Sequence, residues 1–151
     1  VEMFSAELPL FILCEILGVP AADRPKLVHW MHFLETSQYR AQQEGLGNVT
    51  PEQIMAFMTE IQAMIDFGRH LLAERRKEPR EDLLSAIANV EIDGKPLSPE
   101  FLDGSWLLIV FAGNDTTRNS LSGTMRLLTE FPDQKAMLQA NGSIESLHPE
   151  I

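Results

Sequence analysis

The stretch that most limits what this chain can fold into lies between two prolines. Ser98-Pro99-Glu100 offers an N-cap, a first-turn proline and an acidic first turn, and no further proline occurs until Pro132. That allows one continuous helix over about residues 99–130, about 45 Å long. Its centre, Trp106 to Gly113, is apolar on every side, and such a helix runs through a protein rather than over it. Other helices have to pack around it, so a mainly α fold is expected.

The flanking sequence supplies those partners. Leu10, Leu13, Cys14 and Leu17 recur at helical spacing until Gly18-Val19-Pro20 stops them. A second amphipathic stretch follows Asp23, with Leu27, Trp30, Met31 and Leu34 on one face. Residues 37–49 read as a loop, because polar residues and then Gly45, Gly47 and Asn48 dissolve the pattern. Thr50, Pro51 and Gln53 give an N-cap, a first-turn proline and a capping-box partner. From there Ile54, Phe57, Met58, Ile61, Ile65, Gly68 and Leu72 form a stripe that calls for burial against other helices. The mixed charges from Glu74 to Asp82 read as a solvated helix end and connection. After a short helix at about 81–89, Asp93-Gly94 between Val90, Ile92 and Leu97 predicts a small β-hairpin. A last short helix is expected at 133–140, closed by Asn141-Gly142.

Composition removes several classes of function. The 151 residues are 44% hydrophobic and 23% charged, which suits one globular domain. Acidic residues outnumber Lys plus Arg by 22 to 12, for a formal charge of -10, so neither a nucleic acid nor an anionic membrane surface is an expected partner. The apolar stretches at Leu8–Pro20 and Trp106–Gly113 are interrupted or too short to cross a membrane. One cysteine, Cys14, excludes an internal disulfide and a cysteine-clustered zinc site, and fits a reducing, cytoplasmic location. His29 and His32 share a helix face but have no third ligand in register, and His70 and His148 stand alone, so no metal site is expected. Val1-Glu2 has no signal-peptide character, and the last residues through Pro149 and Ile151 carry no stop signal. Residues 1–151 are therefore expected to be a single partial domain, incomplete at both ends.

The chemistry concentrates inside the long helix. Ala112-Gly113-Asn114-Asp115-Thr116-Thr117 puts a small-residue gap, a carboxylate and two hydroxyls where packing alone is expected. Mid-helix glycine costs about 1 kcal/mol relative to alanine, and Asp, Asn and Thr are mediocre helix formers, so the cluster needs a local reason. Small side chains at 112 and 113 let a flat ligand approach, and the Thr116 hydroxyl can bond back to the Ala112 carbonyl or switch to a ligand or water. Asp115 beside it is placed to relay protons. Read from the residues alone, a helix kink with a satisfied Asp and Thr is an equal account, and the chain is then a non-catalytic helical ligand-binding or interaction module.

The six residues, preceded by Trp106-Leu-Leu-Ile-Val-Phe111 and followed by Arg118-Asn119, resemble the oxygen-activating signature of the cytochrome P450 monooxygenases. Further stretches resemble the same family in the same order: Leu17-Gly18-Val19-Pro20 with Asp23, Leu27 and Trp30, then Asp82-Leu83-Leu84 with Ile92-Asp93-Gly94-Lys95-Pro96-Leu97. The likeness covers nearly the whole chain and corresponds to the middle third of a soluble, bacterial-type member. It implies the distal-side helical core of that fold, with haem as cofactor and insertion of one oxygen atom from O2 into an apolar substrate. It also implies a ferredoxin- or flavoprotein-type electron donor. Carried over position by position, Ala112 and Gly113 face the haem, Asp115 gathers protons, Thr116 holds the activated oxygen and Thr117 supports the helix distortion. Leu108 and Phe111, on the face of Ala112, line the substrate side.

Two family landmarks are absent. The thiolate loop reads Phe-x-x-Gly-x-x-x-Cys-x-Gly, but around Cys14 the corresponding residues are Glu7, Leu10 and Ile16, so Cys14 is not the haem ligand. No glutamate is followed three residues on by arginine, so the Glu-x-x-Arg helix is missing as well. The resemblance therefore implies a segment that is inactive by itself.

Overall fold

In a computed structural model, residues 7–45 and 48–141 are described, and they form six helices and one two-stranded hairpin. Helix α1 spans Leu8–Leu17, and Gly18 ends it in the left-handed conformation at φ 77°. The Val19 N–H reaches back to the Cys14 carbonyl at 2.9 Å and the Gly18 N–H to Glu15 at 3.1 Å, which satisfies two of the last carbonyls. A single 3-10 turn, Ala21–Asp23, leads into α2, Arg24–Glu44. Helix α3, Pro51–Lys77, starts on the expected capping box, with Thr50 and Gln53 bonded reciprocally at 2.8 and 3.3 Å.

Helix α4 is Leu83–Asn89, with Asp82 as its N-cap. Strands β1, Glu91–Ile92, and β2, Lys95–Pro96, pair antiparallel with Ile92 opposite Lys95. Asp93 and Gly94 turn between them at φ 52° and 71°, the two positive angles that a tight hairpin of matching twist requires. Helix α5 is unbroken over Pro99–Glu130, 32 residues, and α6 follows at Pro132–Asn141. The terminal features read from sequence, Val1-Glu2, Gly142, His148, Pro149 and Ile151, lie outside the described residues. No described helix is long and apolar enough to cross a membrane.

Four expectations need correction. The stripe on α3 is buried only in its second half: Ile54, Phe57 and Met58 are exposed, and Ile54 and Phe57 border a cavity instead of another helix. Residues 37–44 are helix, not loop, and extend α2 to Glu44. Ser37, Gln38 and Ala41 continue the face begun by Leu34, but two of the three are polar, so the stripe fades from the sequence while good helix formers keep the backbone helical. The centre of α5 is not enclosed all round. Trp106 and Val110 are buried, yet Leu108 is 65% exposed on the opposite side. The charged run from Glu74 to Asp82 is not simply solvated. Arg75 is fully buried, donating at 2.6 Å both to the Asp82 carboxylate and to the Gly18 carbonyl.

The core sits where α1, the first half of α2, the second half of α3, α4 and the first half of α5 converge. Helices α3 and α5 cross at Gly68, where an added Cβ would stand 2.4 Å from Cδ1 of the Trp106 indole. That indole is pinned, since its N–H donates to the Met64 carbonyl at 2.9 Å. Gly68→Ala is therefore expected to force the helices apart and cost about 1–3 kcal/mol, read as a lower urea midpoint at unchanged slope. An unchanged midpoint would show that the crossing has slack.

Candidate functional site

A cavity of about 730 Å³ lies between the second half of α2, the start of α3 and the middle of α5. Helix α2 contributes Met31, Leu34, Glu35, Gln38 and Ala41, and the start of α3 contributes Ile54 and Phe57. From α5 come Leu108, Phe111, Ala112, Asp115 and Thr116. Those five recur at steps of three and four, so one helix face supplies them all. The apolar run at the centre of α5 is thus divided: Trp106 and Val110 pack inward while Leu108 and Phe111 face the cavity. Its size is that of pockets that take a small organic molecule.

The helix passes through the six-residue cluster without a break. The Thr116 hydroxyl donates to the Ala112 carbonyl at 2.6 Å, the back-bonded arrangement open to it from sequence. Donating in this way leaves the hydroxyl oxygen with lone pairs that can accept a proton donor from the cavity. Asp115 is exposed on the same face, without a hydrogen bond or ion pair among the described residues. A carboxylate and a hydroxyl therefore stand on consecutive residues in a largely apolar wall, within reach of solvent.

The other sequence candidates fall around this pair. Gly113 is not part of the cavity wall. A Cβ there would lie 3.2 Å from Leu13 Cδ1, so the close approach of α1 accounts for the missing side chain. Thr117 borders a separate depression of about 340 Å³, together with Thr116, Ser120, Leu121, Thr124 and Met125. Asn114 is buried, and its amide oxygen has no hydrogen-bond partner. Cys14 is buried between α1 and its neighbours, and burial pushes its thiol above the usual range, which suits an inert core residue. Nε2 of His29 lies 3.3 Å from Glu60, and no group of three metal-binding side chains occurs among the described residues.

Sequence reasoning did not find the second pair at this site. Glu35 on α2 and Arg118 on α5 are joined by an ion pair, both half-buried, at the edge of the cavity. The only sequence signal was Arg118 directly after the cluster, and nothing placed Glu35 opposite it.

No protein-family model matches the chain. It is 30% identical over 138 residues to a methyl-branched lipid omega-hydroxylase of Mycobacterium tuberculosis, covering 89% of this chain and 30% of that protein. A steroid C26-monooxygenase of the same species is 34% identical over 135 residues, covering 89% of this chain and 29% of the relative. Among solved structures, a Mycobacterium marinum cytochrome P450 in complex with pseudoionone superposes with a TM-score of 0.74 at 34% identity. That match covers 92% of this chain and 32% of the other. The chain thus spans about a third of the length of the relatives it matches, and nearly all of it takes part in the match. Shared sequence, shared fold and the order of the shared segments agree, and the chain belongs to the cytochrome P450 family.

Proposed function

We propose that these residues form the distal-side part, a single partial domain, of a haem-dependent monooxygenase working in the cytoplasm. The reaction inserts one oxygen atom from O2 into an apolar molecule, with electrons from a ferredoxin- or flavoprotein-type donor. The observation that carries this reading is the Asp115–Thr116 pair on the wall of an apolar cavity, with Thr116 back-bonded to Ala112 at 2.6 Å.

The residues present fit a haem. Ala112 is exposed on the cavity face and presents only a methyl group there, so a flat macrocycle can approach the backbone of α5 beside it, while Gly113 faces Leu13 of α1. Cys14, buried in the core, is not its ligand. When bound, the haem supplies the iron at which O2 is activated. The rest falls to this chain. Leu108 and Phe111 contact the apolar substrate and exclude water beside it, which keeps the reacting region dry. Asp115 takes up protons from solvent, and Thr116 passes them inward through its hydroxyl or a water held on it. The cavity size and the names of the relatives favour a lipid- or steroid-class substrate, with α2 as the roof that selects it.

The test is Asp115→Asn in the whole enzyme. The amide is nearly isosteric but carries no proton, so turnover is expected to slow several-fold with an enlarged solvent isotope effect. An unchanged rate and isotope effect would reduce Asp115 to a structural residue and remove the main support for this reading.

A further inference from the structure

Arg118 lies three residues after Asp115 on α5, a spacing at which an arginine can pair with a carboxylate on its own helix. It pairs instead with Glu35 across the gap to α2. Among the described residues this is the one polar tie between α2 and α5, and it sits where the two helices border the cavity. One guanidinium thus has an observed partner across the gap and, by its i,i+3 spacing, a second candidate on its own helix, and which one it takes decides whether Asp115 is left open.

We propose that Glu35 is a positioning residue: by holding Arg118 it keeps the guanidinium off Asp115 and leaves that carboxylate able to exchange protons. This rests on the proton-relay role of Asp115 given above. Because Glu35 belongs to the roof helix, the hold exists only while the roof is seated over α5. When α2 moves away, Arg118 turns to its helix neighbour, and proton uptake at Asp115 falls while the cavity stands open. The ion pair links the closure of the roof to the readiness of the relay.

The experiment compares Glu35→Gln, Arg118→Gln and the double variant in the whole enzyme. In Glu35→Gln a crystal structure is expected to show the Arg118 guanidinium on the Asp115 carboxylate, with product per reductant lowered about two- to threefold. Removing the freed cation as well, in the double variant, is expected to return product per reductant to the parent level. A tie that merely braces the roof gives the opposite ordering, with the double variant no better than either single change. Either that ordering, or a Glu35→Gln structure in which Arg118 stays away from Asp115, overturns the proposal. Should Glu35→Gln fail to fold, Glu35→Asp gives the same test, since the shorter side chain no longer spans the gap. The two readings fail separately: if Asp115→Asn leaves the rate and solvent isotope effect unchanged, the relay is wrong, whereas the position of Arg118 in the crystal reports on Glu35 alone.

Discussion

Thr116→Ala in the whole enzyme is expected to keep the fold and substrate binding while lowering product per reductant by about tenfold, the lost electrons appearing as peroxide. Thr116 is exposed on the cavity side of α5, and its hydroxyl is spent on the Ala112 carbonyl, not on any contact between helices. Alanine is the better helix former, and a back-bonded hydroxyl weakens a helix slightly, so stability should hold or rise by a few tenths of a kcal/mol. On the proposed role the loss falls on chemistry alone, because the hydroxyl would hand on the protons that Asp115 takes up. Product formed, reductant consumed and peroxide released are the three measurements. Unchanged coupling would remove Thr116 from proton delivery while leaving the fold assignment standing.

The largest effect on stability is expected from Arg75→Ala. The guanidinium is buried and bridges the end of α1, through the Gly18 carbonyl, to the N-cap of α4, through Asp82. Removing it leaves a largely buried carboxylate, still held by the Ser85 N–H, and a half-buried carbonyl without their cation, a change that costs about 3 kcal/mol, the lower end for a broken buried pair. Gly18 belongs to the same knot: a Cβ on it would overlap the Asp82 carboxylate, and its φ of 77° disfavours any other residue. Asp82 also makes the knot sensitive to acid. Burial pushes its carboxyl up, but hydrogen bonds from the Ser85 hydroxyl and N–H and the Arg75 guanidinium outweigh this and hold it below the usual carboxylate range. A group whose folded value is depressed contributes in full above its unfolded value, about pH 4, and loses that contribution as pH falls through the folded value. Asp82→Asn should therefore flatten the dependence of stability on pH below about pH 4, as read from urea unfolding at a series of acidic pH values. An unchanged slope would mean that Asp82 gains nothing from its partners.

Much of this architecture could be read from the sequence where backbone chemistry is local. Thr50 with Gln53, Ser98 with Pro99, and Asp93-Gly94 each mark a turn or helix start through groups a few residues apart, and each feature forms as expected. Partners distant in sequence were out of reach. Arg75 sits in a run of balanced charge and nothing near it announces Gly18, 57 residues away. Glu35 and Arg118 are 83 residues apart. The roof was missed for a related reason. Periodicity recognises a helix by its buried apolar face, and beyond Leu34 the inner face of α2 borders an open cavity, where Ser37 and Gln38 are tolerated. In the long helix the same cavity separates Leu108, which an apolar run marks as core, from Val110, which is core.

The crossing of α3 and α5 at Gly68 also decides what the protein shows to light. Trp106 is held against that glycine, Phe67 lies 6.0 Å from it, ring centre to ring centre, and Trp30 lies 5.5 Å beyond Phe67. The chain's two tryptophans are thus the ends of a single aromatic row stitching α2, α3 and α5 together. Intrinsic fluorescence from this region therefore reports on one seam. Its emission should be blue-shifted while the seam is dry and move to the red when α2 peels from α3, so a change in colour signals loosening of the roof at its root.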